Sequence, residues 1–257
     1  MLLTIDVGNT NTCLGLHDGP ALKADWRLTT RREQTADEYG ILVRNLFATS
    51  GVKPEDIAGV ALASVVPPLT GVLVELSRQY LGHEPLVVEP GVKTGMPILY
   101  EPPGDVGADR IVNGVAALAT YGGPVIVVDF GTATTFDVVS RKGEYVGGVI
   151  CPGIGISADA LFQRAARLPR VDVRDPGRVI GRSTVGSIQS GLFYGYAAMV
   201  EGIIGRIRAE LREPARVVAT GGLAGTLARE VPSIEKVDEV LTLTGLRLIW
   251  ERNRAEK

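Results

Sequence analysis

Two short segments of this 257-residue chain place an acid, a glycine and small hydroxyl or amide residues at matching spacings: DVGNTNTC at 6–13 and DFGTATT at 129–135. Gly8 permits a tight turn with no side chain in the way. Val7 leads into that turn, and Asn9, Thr10, Asn11 and Thr12 add backbone N–H groups with hydroxyl and amide donors, ending at Cys13. Such a set can cradle a phosphate. Asp6 ends an apolar run and has no basic neighbour in sequence. One carboxylate there suits a hydrated Mg²⁺, which takes few carboxylates and keeps several waters. The same residues also describe an ordinary hairpin whose Asn and Thr satisfy the turn backbone. Repetition favours the cradle, because Asp129 falls on Asp6, Gly131 on Gly8 and Thr135 on Thr12 at a constant offset of 123.

A third constellation lies in GADRIVNGVAALATYG, residues 107–122. Ile111, Val112, Val115, Leu118 and Ala119 have helical spacing, which puts Asp109 and Arg110 in or near the first turn. An acid at that position complements the helix dipole, whereas a guanidinium does so only if it pairs with an anion. Side by side, the two can act as a base and a carboxylate clamp, and a simple helix-start role for Asp109 stays open. Immediately before them is the Pro- and Gly-rich stretch PGVKTGMPILYEPPGDV, 90–106, the only long loop the pattern predicts. It reads either as a substrate loop or as a linker.

Other glycine-rich segments carry weaker signals. No G-x-x-x-x-G-K-[ST] loop occurs. GGVICPGIGIS, 147–157, lacks the third glycine of a dinucleotide loop and reads as a connection into a helix, with Ser157 and Asp159 as capping candidates. VVATGGLAG, 217–225, either admits a flat ligand close to the backbone or simply turns a strand into a helix. The long helix predicted at 184–212 contains Gly186, Gly191, Gly195, Gly202 and Gly205, with Ser183 and Thr184 where a cap belongs. Each such glycine costs about 1 kcal/mol relative to alanine, so they point to close packing against another helix, in the same chain or in a second copy. His17 and His83 have no partner pattern and read as structural or surface residues.

The elements that must position these residues follow from periodicity. Strands are predicted at 2–7, 12–18, 21–29, 58–65 and 85–89, with helices at 36–50, 68–82 and 107–121. Strand two follows strand one after about five residues, too few for a parallel crossover, so the sheet must be mixed. From 125 the pattern restarts, with strands near 144–150 and 215–220 and helices near 156–168, 223–230 and 241–253. The chain is therefore read as a tandem duplication, 1–122 and 123–257, with a ligand cleft expected between the two domains. With 27 basic and 29 acidic residues, no whole-chain field favours nucleic acid or an anionic membrane. Two cysteines exclude a disulfide scaffold and fit a reduced, cytoplasmic compartment, and no apolar run approaches a bilayer span.

Taken together, DVGNTNTC, GADRIVN, DFGTATT and GRST at 181–184 resemble the type III pantothenate kinases, over nearly the whole chain. The resemblance implies an α/β fold of two ribonuclease-H-like (actin-like ATPase) domains, mixed sheets flanked by helices. It implies ATP-dependent phosphorylation of pantothenate, the first step of coenzyme A biosynthesis, by a homodimer. Asp6 to Cys13 would bind the ATP phosphates, with Thr132 a second nucleotide contact. Tyr100, Gly107, Ala108, Asp109, Arg110 and Thr184 would bind pantothenate, with Asp109 as general base. Asp129 would hold a monovalent cation, K⁺ or NH₄⁺, beside the Mg²⁺ that accompanies ATP. Two alternatives remain at this point: a kinase for another small hydroxylated acceptor, and a nucleotide-binding accessory protein without catalysis.

Overall fold

The structure, a computed structural model, describes residues 1–254. It divides into two compact units, the first comprising Met1–Ala116 and the last helix, the second Ala117–Val240.

In the first unit, β1 (Leu2–Val7), β2 (Asn11–Asp18) and β3 (Ala21–Thr29) form an antiparallel meander. β4 (Gly59–Ser64) then pairs parallel to β1, and β5 (Leu86–Val87) parallel to β4, giving the order β3-β2-β1-β4-β5. The central strand β1 is apolar nearly throughout because both of its faces are covered, whereas β3 alternates exposed and half-buried residues as an edge strand does. Leu3, Ile5 and Val7 face a core completed by α1 (Ala36–Thr49) and α2 (Pro67–Leu81), chiefly Tyr39, Val43, Phe47, Leu69 and Leu73. Thr35 starts α1 through a reciprocal cap: its hydroxyl accepts from the Glu38 N–H at 3.3 Å, and its own N–H donates to the Glu38 carboxylate at 2.8 Å. Pro67 opens α2, and Gly82 at φ +71° closes it.

The opposite face of this sheet receives α7 (Leu241–Arg254). A Cβ on Gly15 would stand 3.0 Å from Leu243 Cδ1, and one on Gly59 would stand 2.7 Å from the Trp250 ring. These glycines are the flat surface on which the helix lies. The expected second domain, 123–257, therefore differs from the observed units: its last helix packs in the first one, and the division falls within α3 (Ala108–Tyr121) rather than after it. Residues 255–257 of that expected range lie outside the described residues.

The second unit repeats the topology. β6 (Val125–Phe130), β7 (Ala133–Val139) and β8 (Tyr145–Pro152) form the meander, and β9 (Arg216–Thr220) and β10 (Lys236–Val237) add in parallel, giving β10-β9-β6-β7-β8. Ile126, Val128 and Phe130 face a core built with α5 (Thr184–Leu211) and α6 (Ala224–Leu227). α4 (Ile154–Arg164) starts directly at Gly153. Ser157 and Asp159 thus lie inside this helix instead of capping it, and the Ser157 hydroxyl pairs with that of Tyr196. The helix predicted at 156–168 ends early. α4 stops at Arg164, and the chain runs without helix or strand from 165 to 183, so 90–106 is not the only long loop.

The internal repeat is real in topology but not in residue count. Val7 pairs with Thr12 in the first hairpin, whereas Phe130 pairs with Thr134 in the second. The first turn has one residue more, so Thr134, not Thr135, occupies the place of Thr12. Both are buried, at 0% and 1% exposure.

Candidate active site

The first turn is braced from β3. Gly8 N–H donates to Asn11 O at 2.9 Å, and the Thr30 hydroxyl donates to Gly8 O at 2.7 Å. Thr30 N–H donates to Thr10 O at 2.9 Å, and the Thr12 and Thr30 hydroxyls lie 3.0 Å apart. Arg32 donates to the Asn9 side-chain oxygen at 3.2 Å. Thr30 and Arg32 were missed by the sequence reading. The signal available was the hydroxyl and guanidinium run Thr29-Thr30-Arg31-Arg32 directly after a strand that must return to the turn. Asp6 lies on the face of β1 opposite Leu3, Ile5 and Val7, and its register partner is Cys13, itself paired with Arg27. Burial and the neighbouring Asp6 carboxylate push the Cys13 thiol up, with Arg27 opposing, so Cys13 stays a neutral thiol.

Asp109 stands in the first turn of α3, half-buried, with its Oδ1 accepting from the Arg110 N–H at 2.8 Å. Gly107 lies beside that carboxylate. Arg110 is only 7% exposed, a burial that a guanidinium sustains when it is paired. Tyr100 is half-buried in the loop before α3. That loop is fastened to α7: Asn253 donates to Lys93 O at 3.0 Å, and Arg252 donates to Thr94 O. Tyr100, Gly107, Ala108, Asp109 and Arg110 thus belong to the same unit as the first turn.

Asp129, Thr132 and Thr184 belong to the second unit. Asp129 lies opposite Ile126, Val128 and Phe130 on its sheet, with Thr135 and Thr220 as register partners. Gly221, at φ +93°, presses against Asp129 Oδ1 and the Phe130 backbone, so this position of the Thr-Gly-Gly turn is glycine because protein lies against it. Thr132 is exposed in the second turn, where Gly153 packs on the backbone oxygens of Gly131 and Thr132. The segment 147–157 is therefore strand, close contact and helix start. Thr184 is the exposed first residue of α5, capped by Ser183, whose hydroxyl accepts from the Gly186 N–H at 3.1 Å. It lines a hollow of 530 Å³ with Leu161, Leu168, Ile188 and Gly191.

The donor chemistry suits hard cations. Among the described residues no three His, Cys, Asp or Glu side chains converge, and Asp6 offers a single carboxylate beside a turn of backbone amides. One carboxylate with substrate phosphates and waters is a set that Mg²⁺ accepts. Asp129, with Thr135 and Thr220 as register partners, offers a carboxylate for such a cation.

The glycines of α5 separate two explanations. A Cβ at Gly191, Gly195 or Gly205 would meet nothing within 4 Å among the described residues, and at Gly202 only the helix's own Arg206. No helix among the described residues requires these four glycines. They share a stripe with Thr184, Ile188, Ala198 and Ala209 at alternating spacings of four and three.

Known proteins resemble this chain over nearly its whole length. The family description "Type III pantothenate kinase" matches residues 2–206. A type III pantothenate kinase of Moorella thermoacetica is 60% identical over 253 residues, covering 98% of this chain and 100% of the relative. One from Geobacter sulfurreducens is 57% identical over 254 residues, covering 99% and 100%. Among solved structures, the activator of the 2-hydroxyisocaproyl-CoA dehydratase from Clostridium difficile, with bound ADPNP, superposes at a TM-score of 0.61 with 13% identity, covering 99% of this chain and 96% of that one. That likeness shows the fold, two mixed five-stranded sheets of the actin-like ATPase kind. No helix among the described residues is long and apolar enough to cross a membrane. Matched from residue 2 to residue 206 and at 60% identity to a full-length relative, the chain belongs to the type III pantothenate kinases.

Proposed function

We propose that Asp109 is the general base with which this type III pantothenate kinase phosphorylates pantothenate from ATP. The observation that carries this reading is the family match, whose span of 2–206 contains every residue given a role here. Asp109 takes the proton of the primary hydroxyl of pantothenate as that oxygen attacks the γ-phosphorus. Arg110 holds the substrate carboxylate, with Tyr100, Gly107, Ala108 and Thr184 as further contacts. The turn from Asp6 to Cys13, with Thr132, binds the ATP phosphates through backbone amides and hydroxyls. Phosphoryl transfer asks mainly for positioning and charge neutralisation, which a braced turn and a fixed carboxylate supply. Mg²⁺ held near Asp6 through water, and K⁺ or NH₄⁺ at Asp129, add positive charge against the phosphates.

The assembly is a homodimer in which α5 meets a second copy along its glycine stripe. The open space over Gly191, Gly195 and Gly205 supports this. Ile156, Leu161, Phe162 and Val185, exposed on α4 and α5, add apolar surface for the same contact.

The test is ADP release by purified protein with Mg-ATP, with and without pantothenate and K⁺. Turnover that requires both is expected. Equal ADP release without pantothenate would redirect the search to another acceptor.

A further inference from the structure

The long segment 165–183 carries Arg174, Arg178 and Arg182, and all three line one hollow of 400 Å³ with Asp175, Gly186 and Gln189. The segment has no regular structure, yet it is pinned to α5. Gln189 donates to Asp172 O at 3.1 Å, the Ser190 hydroxyl donates to Val179 O, and the Tyr194 hydroxyl donates to the Asp175 carboxylate at 3.2 Å. Gln189 and Ser190 are buried, at 6% and 5% exposure. Gly181 lies directly on the backbone of Gly186 and Ser187. The three guanidinium groups are therefore carried on a backbone that α5 holds in place.

Their charges are not balanced. Elsewhere in the same unit Arg141, Arg170, Arg208 and Arg216 each pair with a carboxylate. Among the described residues Arg174, Arg178 and Arg182 have no ion pair or hydrogen bond. The one carboxylate lining the hollow, Asp175, already accepts from the Gly177 N–H at 2.7 Å and from Tyr194. Three positive charges face one negative, and the positive end of a 28-residue helix adds to them.

We infer that this hollow binds a small phosphorylated molecule carrying at least two negative charges. Guanidinium forks match phosphate oxygens in pairs, and two or more such forks on one pinned loop select a multiply charged group over a lone carboxylate. A chain of net charge −2 and a hollow of small-molecule size favour a metabolite over a nucleic acid. None of the three arginines is among the residues assigned above to ATP, pantothenate or the cations. A ligand bound here would brace the segment against the first turn of α5, which begins at Thr184.

The test is calorimetric titration of the full-length protein with pyrophosphate while saturating ADP occupies the nucleotide turn. Binding of one pyrophosphate per chain is expected. Arg178→Gln with Arg182→Gln should weaken it by about tenfold or more, with ADP affinity and melting temperature unchanged. The matching pair of Arg→Lys changes should retain part of the binding, which shows that charge rather than folding is being read. The inference is overturned if ADP-saturated protein takes up no pyrophosphate, or if the glutamine variant binds it as the wild type does. It is also overturned if that variant dissociates into monomers with pyrophosphate binding intact, since the arginines would then pair with a second copy of the chain.

Discussion

Asp109 Oδ1 lies 2.6 Å from where a Cβ on Gly107 would stand, and the same oxygen accepts the Arg110 N–H at 2.8 Å. The carboxylate is therefore held by its own helix start on one side and limited by a bare glycine on the other. Gly107→Ala should push Asp109 out of position without touching the turn at 8–11. Displacing a reacting group by about 1 Å can cost about a hundredfold, so kcat should fall by about ten- to a hundredfold while ATP affinity and melting temperature hold. Steady-state kinetics and a thermal melt check this; unchanged kcat would show that Gly107 does not position the base.

The two hairpin threonines should respond oppositely to loss of a hydroxyl. Thr12 lies in the chain that runs through Thr30 to Gly8 O, whereas the buried Thr134 hydroxyl has no hydrogen-bond partner among the described residues. Thr12→Val should cost about 1 kcal/mol in urea unfolding, and Thr134→Val should be neutral or stabilising. Equal losses at both sites would contradict the bracing described here.

His17 makes stability depend on pH. It is 2% exposed on β2, neither ring nitrogen has a partner among the described residues, and burial with the nearby Arg247 charge holds its pKa down to about 4 from 6.5, Glu251 opposing. The folded value lies below the unfolded one, so between them the unfolded chain binds the extra proton. Its contribution is complete above pH 6.5 and is lost as pH falls from there towards 4. Unfolding free energies measured across that range should slope by about one proton, and His17→Leu should flatten the slope. An identical slope in the variant would exclude His17 as its source.

A bulky side chain on the open stripe of α5 should act on assembly alone. A Cβ at Gly195 meets nothing within 4 Å among the described residues, so Gly195→Leu should fold and melt as a unit yet sediment as a monomer if the proposed homodimer forms along this stripe. A variant that stays dimeric would place the interface elsewhere.

Much of this organisation can be read before any coordinates are available. The meander was legible because five residues cannot cross a sheet in parallel, and the restart at 125 because Asp129 and Gly131 repeat Asp6 and Gly8. Other features leave no such trace. The apolar face of α7 says that it packs on something, but only the fit of Trp250 over Gly59 and Leu243 over Gly15 says which sheet. Counting identities at a fixed offset cannot register that one turn is a residue shorter, so Thr135 was matched to Thr12 in place of Thr134. The bracing of the first turn by Thr30 depends on where β3 ends relative to β1, a tertiary relation absent from either segment alone.

Asp109→Asn offers the most direct test of the central claim, read by pantothenate-dependent ADP release alongside calorimetric binding of pantothenate and ATP. The substitution keeps size and removes the basic oxygen. Turnover should fall by about 10²- to 10⁴-fold with both ligands still bound near their wild-type affinities. Turnover close to wild type in the folded variant would contradict the assignment of Asp109 as the base.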